Sequence, residues 1–279
     1  MKVIKNISDM RAWSESRRIS GKRIGFVPTM GFLHEGHLSL IRTAKEKCEF
    51  VVVSIFVNPA QFGPNEDFSR YPRDFDRDRQ MCLEEGVDII FYPAVEELYP
   101  TGYKTYVITE DISKILCGVS RPDHFRGVTT IVAKLFNIVN PHVAVFGQKD
   151  AQQAIIIKRM ISDLDFGIET IIAPIIREPD GLAMSSRNKY LSETDKKEAI
   201  ALYRSLKLAR LEMINKNNDV ADIREKMTQL ITSESSGRID YIEFRDADSL
   251  VEEKIAEGSV LVAIAVYFGK TRLIDNMIV

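Results

Sequence analysis

Short runs of β-branched and aromatic residues alternate with helical patterns along the first two-thirds of this chain. The runs have little polar alternation, which is typical of strands buried on both faces of a parallel sheet. The predicted strands cover residues 24–27, 51–57, 87–91, 143–146 and 169–173. The helical patterns cover about residues 38–48, 76–85, 128–139 and 151–164. This order predicts an α/β fold, a Rossmann-like parallel sheet with helices on both faces.

The pattern changes after the turn sequence Pro179-Asp180-Gly181, which we interpret as a hinge. Ser192 and Asp195 then have the spacing of a capping box at the start of a long helix. A second amphipathic helix follows, and three strands are predicted over residues 239–244, 260–268 and 273–278. We therefore expect a Rossmann-like domain at 1–178 and a smaller C-terminal α+β domain at 179–279 that acts as a lid.

Composition narrows the class of protein. The 279 residues carry a net charge of −2 without a Lys/Arg-rich run, which argues against tight nonspecific nucleic-acid binding. No apolar run reaches the roughly 20 residues needed to span a bilayer, and the first residues lack the apolar core of a signal peptide. The three cysteines form no C-x-x-C pair, as expected for reduced thiols. We therefore expect a cytoplasmic protein without nucleic-acid or membrane partners.

The most informative polar stretch follows the first predicted strand and contains His34, Gly36 and His37. A strand-to-helix turn offers free N–H groups and the positive end of the helix dipole to an anion. A zinc site of the His-Glu-x-x-His kind needs histidines four residues apart, and here they are three apart. The sequence favours phosphate binding, while a structural histidine pair stays open as the alternative.

A second polar stretch, residues 58–62, follows the strand predicted at 51–57. Gln61 offers one acceptor and two donors, which suits a small substrate with hydroxyl and carboxylate groups. Taken alone, it is better explained as a turn residue that stabilises a nearby loop. The acidic residues Asp76 and Asp78 have two interpretations. They either assist Mg²⁺ bound through phosphates and water or lie on a solvated helix face.

A third stretch follows the strand predicted at 143–146. Gly147 allows close approach of a ligand, Lys149 supplies a point charge for phosphate, and Asp150 is suited to cap the next helix or to bind a ribose hydroxyl. Gln153 lies one helical turn further on. An ordinary helix cap with a surface lysine is the alternative interpretation.

The fourth stretch, residues 184–187, places two hydroxyls and a guanidinium in succession, a donor-rich sequence that fits a triphosphate. A polar linker is the alternative. Arg121 and Arg126 lie in a predicted loop, where they either bind anions or stabilise the loop itself. Gly269-Lys270-Thr271 is not the end of a Walker A loop, because Ile264 stands where that motif needs glycine. We predict a tight turn there.

Together these stretches resemble a known family. The turn containing His34-x-Gly36-His37 resembles the HIGH-type signature of the nucleotidyltransferase superfamily, and Met184-Ser185-Ser186-Arg187 resembles its second signature. More narrowly, the chain is similar from end to end to the pantoate–β-alanine ligase family. The stretches that carry this similarity are residues 28–40, 56–62, 71–73, 146–153 and 181–188.

The resemblance implies ligation of (R)-pantoate to β-alanine, with cleavage of ATP to AMP and diphosphate through a pantoyl-adenylate intermediate. It also implies that Mg²⁺ takes part, bound mainly through the ATP phosphates with Asp78 as a candidate ligand. A homodimer is expected on the same ground. The first domain is then the one that binds ATP and pantoate.

The resemblance further implies roles for individual residues. ATP would be bound by Met30, Gly31, Phe32, Leu33, His34, Glu35, Gly36, His37, Gly147, Gln148, Lys149, Asp150, Ile176, Met184, Ser185, Ser186 and Arg187. The catalytic set would be His37, His34, Lys149, Ser185, Ser186 and Arg187, with His37 as proton donor. Pantoate would be held by Gln61 and Gln153.

Two other functions use the same nucleotide-binding turn. One is a nucleotidyltransferase that moves AMP onto a phosphate-bearing acceptor and does not need Gln61 and Gln153 as a pair. The other is a catalytically silent ATP sensor or a tRNA-binding fragment. The absence of a basic bias in the composition argues against the tRNA-binding version.

Overall fold

The computed structural model describes residues 1–64 and 66–279. Contacts between Cα atoms divide the chain into two compact units. The first unit contains residues 1–147 and 152–174, and the second contains residues 148–151 and 175–279. The domain boundary after residue 178 and the lid role of the C-terminal domain stay predictions.

The first unit is built from parallel strands joined by helices. Its strands are β1 Lys2–Ile4, β2 Ile24–Thr29, β3 Phe50–Ile55, β4 Ile89–Phe91, β5 Val143–Gly147 and β6 Glu169–Ala173. Its helices are α1 Ile7–Ile19, α2 Glu35–Lys47, α3 Phe75–Glu84, α4 Val95–Leu98, α5 Cys117–Ser120, α6 His124–Val139 and α7 Ala151–Asp163.

The six strands form one parallel sheet in the order β1-β4-β3-β2-β5-β6. From β2 the chain runs outward through β3 and β4, and it then returns to add β5 on the other side of β2. The strand order therefore reverses between β2 and β5. In open parallel sheets, ligands bind outside the carboxyl ends of the strands at such a reversal.

The two faces of the sheet bury alternate side chains of the same strand. Ile24 and Phe26 of β2 belong to one core cluster with residues of α6 and α7, whereas Val27 belongs to a second cluster with residues of α2. Phe136 of α6 contacts Phe26 edge-on, with ring centroids 6.4 Å apart. Burial on both faces explains the nearly continuous apolar runs in the sequence and confirms the predicted fold class.

The five predicted strands are confirmed, and the structure adds β1, which is too short for its periodicity to be recognised. β1 pairs with β4 at the edge of the sheet. One expectation was wrong. The strand at residues 169–173 is not buried on both faces, because β6 is the other edge of the sheet and Ile172 is 38% exposed.

Two helices begin earlier than predicted. α2 begins at Glu35 rather than near residue 38, so Gly36 and His37 lie in its first turn. α6 begins at His124, so Arg126 lies in the first turn of a helix and not in a loop. Both differences arise because polar residues of a first turn carry little of the apolar periodicity from which a helix is predicted.

The second unit packs two helices, α8 Glu193–Ile214 and α9 Val220–Glu234, against an antiparallel sheet. Its strands are β7 Arg238–Asp246, β8 Val260–Phe268 and β9 Thr271–Ile278, in the order β7-β8-β9. The predicted capping box is present, because Ser192 and Asp195 exchange hydrogen bonds at the start of α8. The predicted turn between the last two strands is also confirmed, with Gly269 at a φ of +56°.

None of the helices in the described part of the chain combines the length and the apolar character required to cross a membrane.

His142 holds the start of the central strands. Its Nδ1 accepts a hydrogen bond from the backbone N–H of Ile24 at 3.0 Å. An accepting Nδ1 cannot carry a proton, so this bond requires the ring to be uncharged. Burial lowers the pKa of His142 below its ordinary value of 6.5, and the charges of Arg18 and Arg23 lower it further.

We predict that His142 makes the fold sensitive to mild acid. Because its pKa is lower in the folded state, the unfolded chain binds more protons near pH 6. The stabilisation is therefore complete above about pH 6.5 and is lost as the pH falls through the lowered pKa. His142→Asn keeps an acceptor for the Ile24 N–H and removes the titration. Urea unfolding at pH 7.5 and at pH 5 gives the free energy of unfolding of the parental protein and of His142→Asn. We expect the parental protein to lose more stability than the variant between the two pH values, and equal losses would contradict the prediction.

Candidate active site

The chain leaves β2 through two consecutive residues in the left-handed region of backbone conformation. Gly31 has a φ of +80° and Phe32 a φ of +50°. A side chain at Gly31 would also meet the Asp78 carboxylate, since a Cβ there would lie 2.9 Å from Oδ2. Glycine is therefore required at this position for both conformation and space.

A single buried carboxylate holds this loop. Asp78 Oδ2 accepts from the N–H of Phe32 at 2.7 Å, and Oδ1 accepts from the N–H of Leu33 at 2.7 Å. Asp78 is 1% exposed. Burial raises its pKa, while the two N–H donors and the nearby charge of Arg77 oppose that rise. The loop is therefore held by a buried carboxyl group from α3.

This geometry corrects the expectations for the acidic residues of α3. Asp76 is exposed, as expected for a solvated helix face, but Asp78 points inward and is not part of such a face. Each Asp78 oxygen accepts one backbone N–H and keeps a further lone pair, so the role of Asp78 as a candidate Mg²⁺ ligand stays a prediction. Among the described residues, no group of three or more His, Cys, Asp or Glu side chains is placed to hold a metal ion.

The two histidines of the turn cap α2. His34 is the N-cap residue, and its Nδ1 accepts from the N–H of Gly36 at 3.2 Å. His37 Nδ1 accepts from the N–H of His34 at 3.3 Å, which completes a capping box made of imidazoles. The rings are tilted with centroids 4.1 Å apart. The capping box uses Nδ1 of each ring and does not involve Nε2.

Gly36 is required by the His34 ring rather than by backbone conformation. A Cβ at residue 36 would lie 2.9 Å from both Cε1 and Nδ1 of His34. Any larger residue would push the imidazole away from the helix start and would break its cap. The His-x-Gly-His spacing is thus explained by local packing, before any ligand is considered.

The chain leaves β3 through a short turn that contains Asn58 and Gln61. Both side chains are buried, and Asn58 Nδ2 donates to Gln61 Oε1 at 3.1 Å and to the Gly127 carbonyl at 3.0 Å. Asn58 Oδ1 accepts from the Tyr99 hydroxyl at 2.8 Å. Gln61 Nε2 lies 3.1 Å from the sulfur of Met30. This arrangement fixes the amide of Gln61 with its nitrogen toward the exit of β2.

The backbone of Gln61 is held from the other side by two further side chains. Its carbonyl lies 2.9 Å from His124 Nδ1 and accepts from Arg121 Nη2 at 3.2 Å. Arg121 also forms an ion pair with Glu66. Arg121 therefore stabilises the Gln61 turn, which agrees with the second of its two predicted roles, stabilisation of the loop.

The guanidinium of Arg126 stacks on the Tyr106 ring at 3.5 Å.

Gln153 lies in the first turn of α7 and is half-buried. Its neighbour Gln152 is buried and ties this helix to the residues before α6. Gln152 Oε1 accepts from the N–H of Cys117 at 3.0 Å, and its Nε2 donates to the carbonyls of Ile112 and Ile115. Gly147, which ends β5, has open space around its missing side chain, with Leu40 4.0 Å away as its nearest neighbour.

A cavity of about 360 Å³ opens beside this loop within the first unit. It is lined by Met30, Gly31, Ile55, Phe68 and Tyr92, among others, and so lies at the carboxyl ends of β2, β3 and β4. The volume falls in the range of small-molecule sites.

The second unit holds the other candidate residues. Gln148, Lys149 and Asp150 form a single turn of 3₁₀ helix, which takes hydrogen bonds from Asn276 of β9. Asp275, the neighbour of Asn276, pairs with Arg177. Burial raises the pKa of Asp275, and the hydrogen bond and charge of Arg177 oppose that rise.

The stretch from Ile176 to Arg187 folds back on itself. Arg177 and Ala183 form an antiparallel bridge, and the N–H of Met184 donates to the Ile176 carbonyl at 3.0 Å. Ser185 then caps a short 3₁₀ helix, because its hydroxyl accepts from the N–H of Arg187 at 3.3 Å. The predicted turn at residues 179–181 is confirmed and lies inside the second unit, with Gly181 at a φ of +104°.

Within the first unit, the structure brings Met30, Gly31, His34, His37 and Gln61 to the carboxyl ends of β2 and β3. Within the second unit, it brings Ile176 and Met184 together and places Ser185 at the start of the turn that carries Arg187. Leu33 is fully buried, and the N–H groups of Phe32 and Leu33 are occupied by Asp78. These two residues shape the loop.

Sequence reasoning missed the side chains that hold these loops, namely Asp78 as a loop anchor, Asn58, Asp275 and Asn276. One signal was available for the last pair. Asp275 and Asn276 are consecutive polar residues inside an apolar strand, where alternation predicts at most one of them on the buried face.

We predict that Asp78→Asn destabilises the fold at the exit of β2. An asparagine retains one acceptor oxygen but turns its NH₂ toward the second backbone N–H, so one buried donor loses its partner. Such a loss costs about 1–3 kcal/mol in free energy of unfolding. Asp76→Asn on the exposed side of the same helix is the control, with an expected change within about 0.5 kcal/mol. Equal effects of the two substitutions in urea unfolding would contradict this role.

Comparison with known proteins places these features in one family. The family model described as "Pantoate-beta-alanine ligase" matches residues 2–278. Pantothenate synthetase of Caldicellulosiruptor bescii is 55% identical over 280 residues, covering 100% of this chain and 99% of the relative. Pantothenate synthetase of Thermotoga petrophila is 54% identical over 278 residues, again covering 100% and 99%.

Solved structures agree. Pantothenate synthetase from Thermus thermophilus matches with a TM-score of 0.94 and 41% identity, covering 99% of both chains. The pantoate-beta-alanine ligase from Francisella tularensis, complexed with beta-gamma ATP and beta-alanine, matches with a TM-score of 0.80 and 35% identity, covering 99% of this chain and 97% of that one. By a family match along nearly its whole length, on a fold shared with solved members, the chain belongs to the pantoate-beta-alanine ligase family.

Proposed function

We propose that this chain joins pantoate to β-alanine to form pantothenate, with ATP cleaved to AMP and diphosphate. The observation that carries the proposal is the family match over residues 2–278. The Francisella tularensis relative, complexed with beta-gamma ATP and beta-alanine, supports the substrate assignment. The candidate residues at the strand ends of the first unit supply the kind of groups that this chemistry needs.

The reaction has two steps. In the first, a carboxylate oxygen of pantoate attacks the α-phosphorus of ATP and forms a P–O bond. The bond between the α-phosphorus and the oxygen that bridges to the β-phosphorus breaks, and diphosphate leaves. In the second, the amine of β-alanine attacks the acyl carbon, a C–N bond forms, the C–O bond to AMP breaks, and the amine loses a proton. A carboxylate is already an adequate nucleophile, so the first step needs alignment and charge neutralisation rather than a base.

We propose that the two histidines act in the first step as neutral donors. Each Nδ1 accepts a backbone N–H in the capping box, so an uncharged ring carries its proton on Nε2. His34 and His37 would then donate Nε2–H to phosphate oxygens as charge develops there. For His37 this would be the donor role that the family resemblance implies.

We propose that pantoate is held by Gln61 and Gln153. Asn58 binds the amide oxygen of Gln61, which leaves the NH₂ as the group that Gln61 presents. One N–H approaches the Met30 sulfur at 3.1 Å. An amide donor fixed in this way suits the hydroxyl and carboxylate oxygens of a small hydroxy acid.

The full set of proposed ATP contacts is divided between the two units. In the first unit they are Met30, Gly31, Phe32, Leu33, His34, Glu35, Gly36, His37 and Gly147. In the second unit they are Gln148, Lys149, Asp150, Ile176, Met184, Ser185, Ser186 and Arg187. For Phe32 and Leu33, whose N–H groups bind Asp78, the proposed role is to shape the loop around the nucleotide. Lys149, Ser185, Ser186 and Arg187 would complete the charge neutralisation that His34 and His37 begin.

Mg²⁺ is proposed to enter with ATP, held by the phosphates and water rather than by a protein cage. Asp78 is the candidate protein ligand that the family resemblance implies. A homodimer is proposed from the family resemblance. A cytoplasmic location is proposed because the three cysteines, Cys48, Cys82 and Cys117, are free thiols.

AMP release tests the proposed reaction. We expect AMP to form only when (R)-pantoate and β-alanine are both present with MgATP, because the amine is needed to displace AMP from the adenylate. AMP transfer to a phosphate-bearing acceptor in the absence of pantoate would indicate the nucleotidyltransferase. Binding of ATP without turnover would indicate a sensor.

We predict that His37→Ala slows adenylate formation about 10²-fold or more, the range for losing one preorganised donor. A single-turnover measurement with ATP and pantoate gives the rate directly. His142→Asn is the matched control, since His142 lies in the same unit at the start of the strands and is given no role in the reaction. Adenylate formation by His37→Ala at near the parental rate would remove this role from His37.

A further inference from the structure

Two consecutive side chains of β9, Asp275 and Asn276, are buried in the second unit although both are polar. They are 4% and 3% exposed. Burying such groups is unfavourable unless their hydrogen bonds are made, so the partners of these side chains reveal what the strand is built to hold.

Asn276 binds the turn that carries Lys149. Its Nδ2 donates to the carbonyl of Gln148 at 2.9 Å and to the carbonyl of Lys149 at 3.0 Å. Its Oδ1 accepts from Nε2 of Gln148 at 3.2 Å. Both N–H groups of this amide are therefore used on two successive peptide units, and a reciprocal bond comes back from the side chain of Gln148.

Asp275 keeps Asn276 in place. Its carboxylate forms a two-pronged ion pair with Arg177, at 2.6 Å and 2.9 Å, and Oδ1 also accepts from the N–H of Asn276 at 2.8 Å. Arg177 stacks on the Tyr203 ring at 4.0 Å and donates to the Gly181 carbonyl at 3.1 Å. Two neighbouring residues of one strand thus bind both stretches of the second unit for which we propose ATP contacts.

A single turn of 3₁₀ helix has little rigidity of its own. Because the carbonyls of Gln148 and Lys149 are fixed by one side chain, the direction in which the Lys149 side chain leaves the backbone is fixed as well. A lysine acts on phosphate as a point charge on a flexible stem, so its effectiveness depends on where that stem begins. Misplacing a charge by about 1 Å can cost on the order of 10² in rate.

We propose that Asn276 is a positioning residue for the adenylation step, which acts by fixing the backbone of Lys149. The inference rests on the proposed function, in which Lys149 neutralises charge on the ATP phosphates. A strand without a proposed ATP contact of its own, β9, would thus place Lys149, which has one.

Asn276→Asp is the sharpest variant. It keeps the size of the side chain and one acceptor, and it removes both donors to the Gln148 and Lys149 carbonyls. Asn276→Ala checks that the introduced charge is not the cause. Asn217→Ala is the control, because Asn217 lies in the same unit and binds Glu212 and Asp222, away from the Lys149 turn.

The measured quantities are the single-turnover rates of the two steps. We expect Asn276→Asp and Asn276→Ala to slow adenylate formation about tenfold. The reaction of preformed adenylate with β-alanine should stay within about twofold of the parental rate, because the charge that we expect Lys149 to neutralise lies on the β- and γ-phosphates, which have left as diphosphate by then. A purely structural defect would slow both steps, and so would overturn the proposal. The control should leave both rates unchanged.

A double-mutant cycle with Lys149→Ala identifies the route. If Asn276 acts through Lys149, then adding Asn276→Asp to Lys149→Ala changes adenylate formation by less than about twofold, although it costs about tenfold alone. A full tenfold loss in both backgrounds would overturn the proposal. If the parental protein forms no adenylate at all, the proposed function fails. If the parental protein forms adenylate and the Asn276 variants slow both steps alike, that function stands and Asn276 has no positioning role in it.

Discussion

Two backbone N–H groups that donate to one buried carboxylate determine the geometry of the first unit's candidate site. Phe32 and Leu33 can turn toward Asp78 only because the chain passes through the left-handed region at Gly31 and Phe32. That turn delivers His34 to the N-cap position of α2. The imidazole caps and the need for glycine at residue 36 both follow from it. Removing the carboxylate would leave the N–H groups of Phe32 and Leu33 without their acceptor.

In the second unit, a short turn is held in a similar way by the amide of Asn276. Asn276 holds the turn of Lys149 through two carbonyls, where Asp78 holds its loop through two N–H groups. In each case a buried polar side chain from a neighbouring element fixes a short segment that lacks regular hydrogen bonding. Preorganisation of this kind matters for a reaction that depends on charge stabilisation, because donors already in place cost no reorganisation in the transition state.

The scaffold could be predicted well because parallel strands buried on both faces leave a clear apolar pattern. Five strands of the first sheet, the three strands near the C-terminus and the capping box at Ser192 were all predictable from such local patterns. β1 was not predictable, since three residues carry no periodicity. The exposure of β6 was not predictable either, because the sequence of a strand does not show whether it lies at the edge of the sheet.

The candidate loops were predictable as positions but not as structures. His34, Gly36 and His37 could be placed at a strand-to-helix turn, yet the use of Nδ1 for capping depends on a backbone path that only the folded chain reveals. Asp78 lies 45 residues from Leu33, and Asn276 lies 127 residues from Lys149. Contacts over such distances leave no local pattern, which is why Asp78 resembled part of a solvated helix face.

Exchange of labelled diphosphate into ATP tests the proposed adenylation most directly, with Mg²⁺ and (R)-pantoate present and β-alanine absent. We expect exchange that depends on pantoate, because the first step forms an adenylate reversibly and without the amine. A folded protein that binds ATP and shows no pantoate-dependent exchange would contradict attack of the pantoate carboxylate at the α-phosphorus as a separate first step.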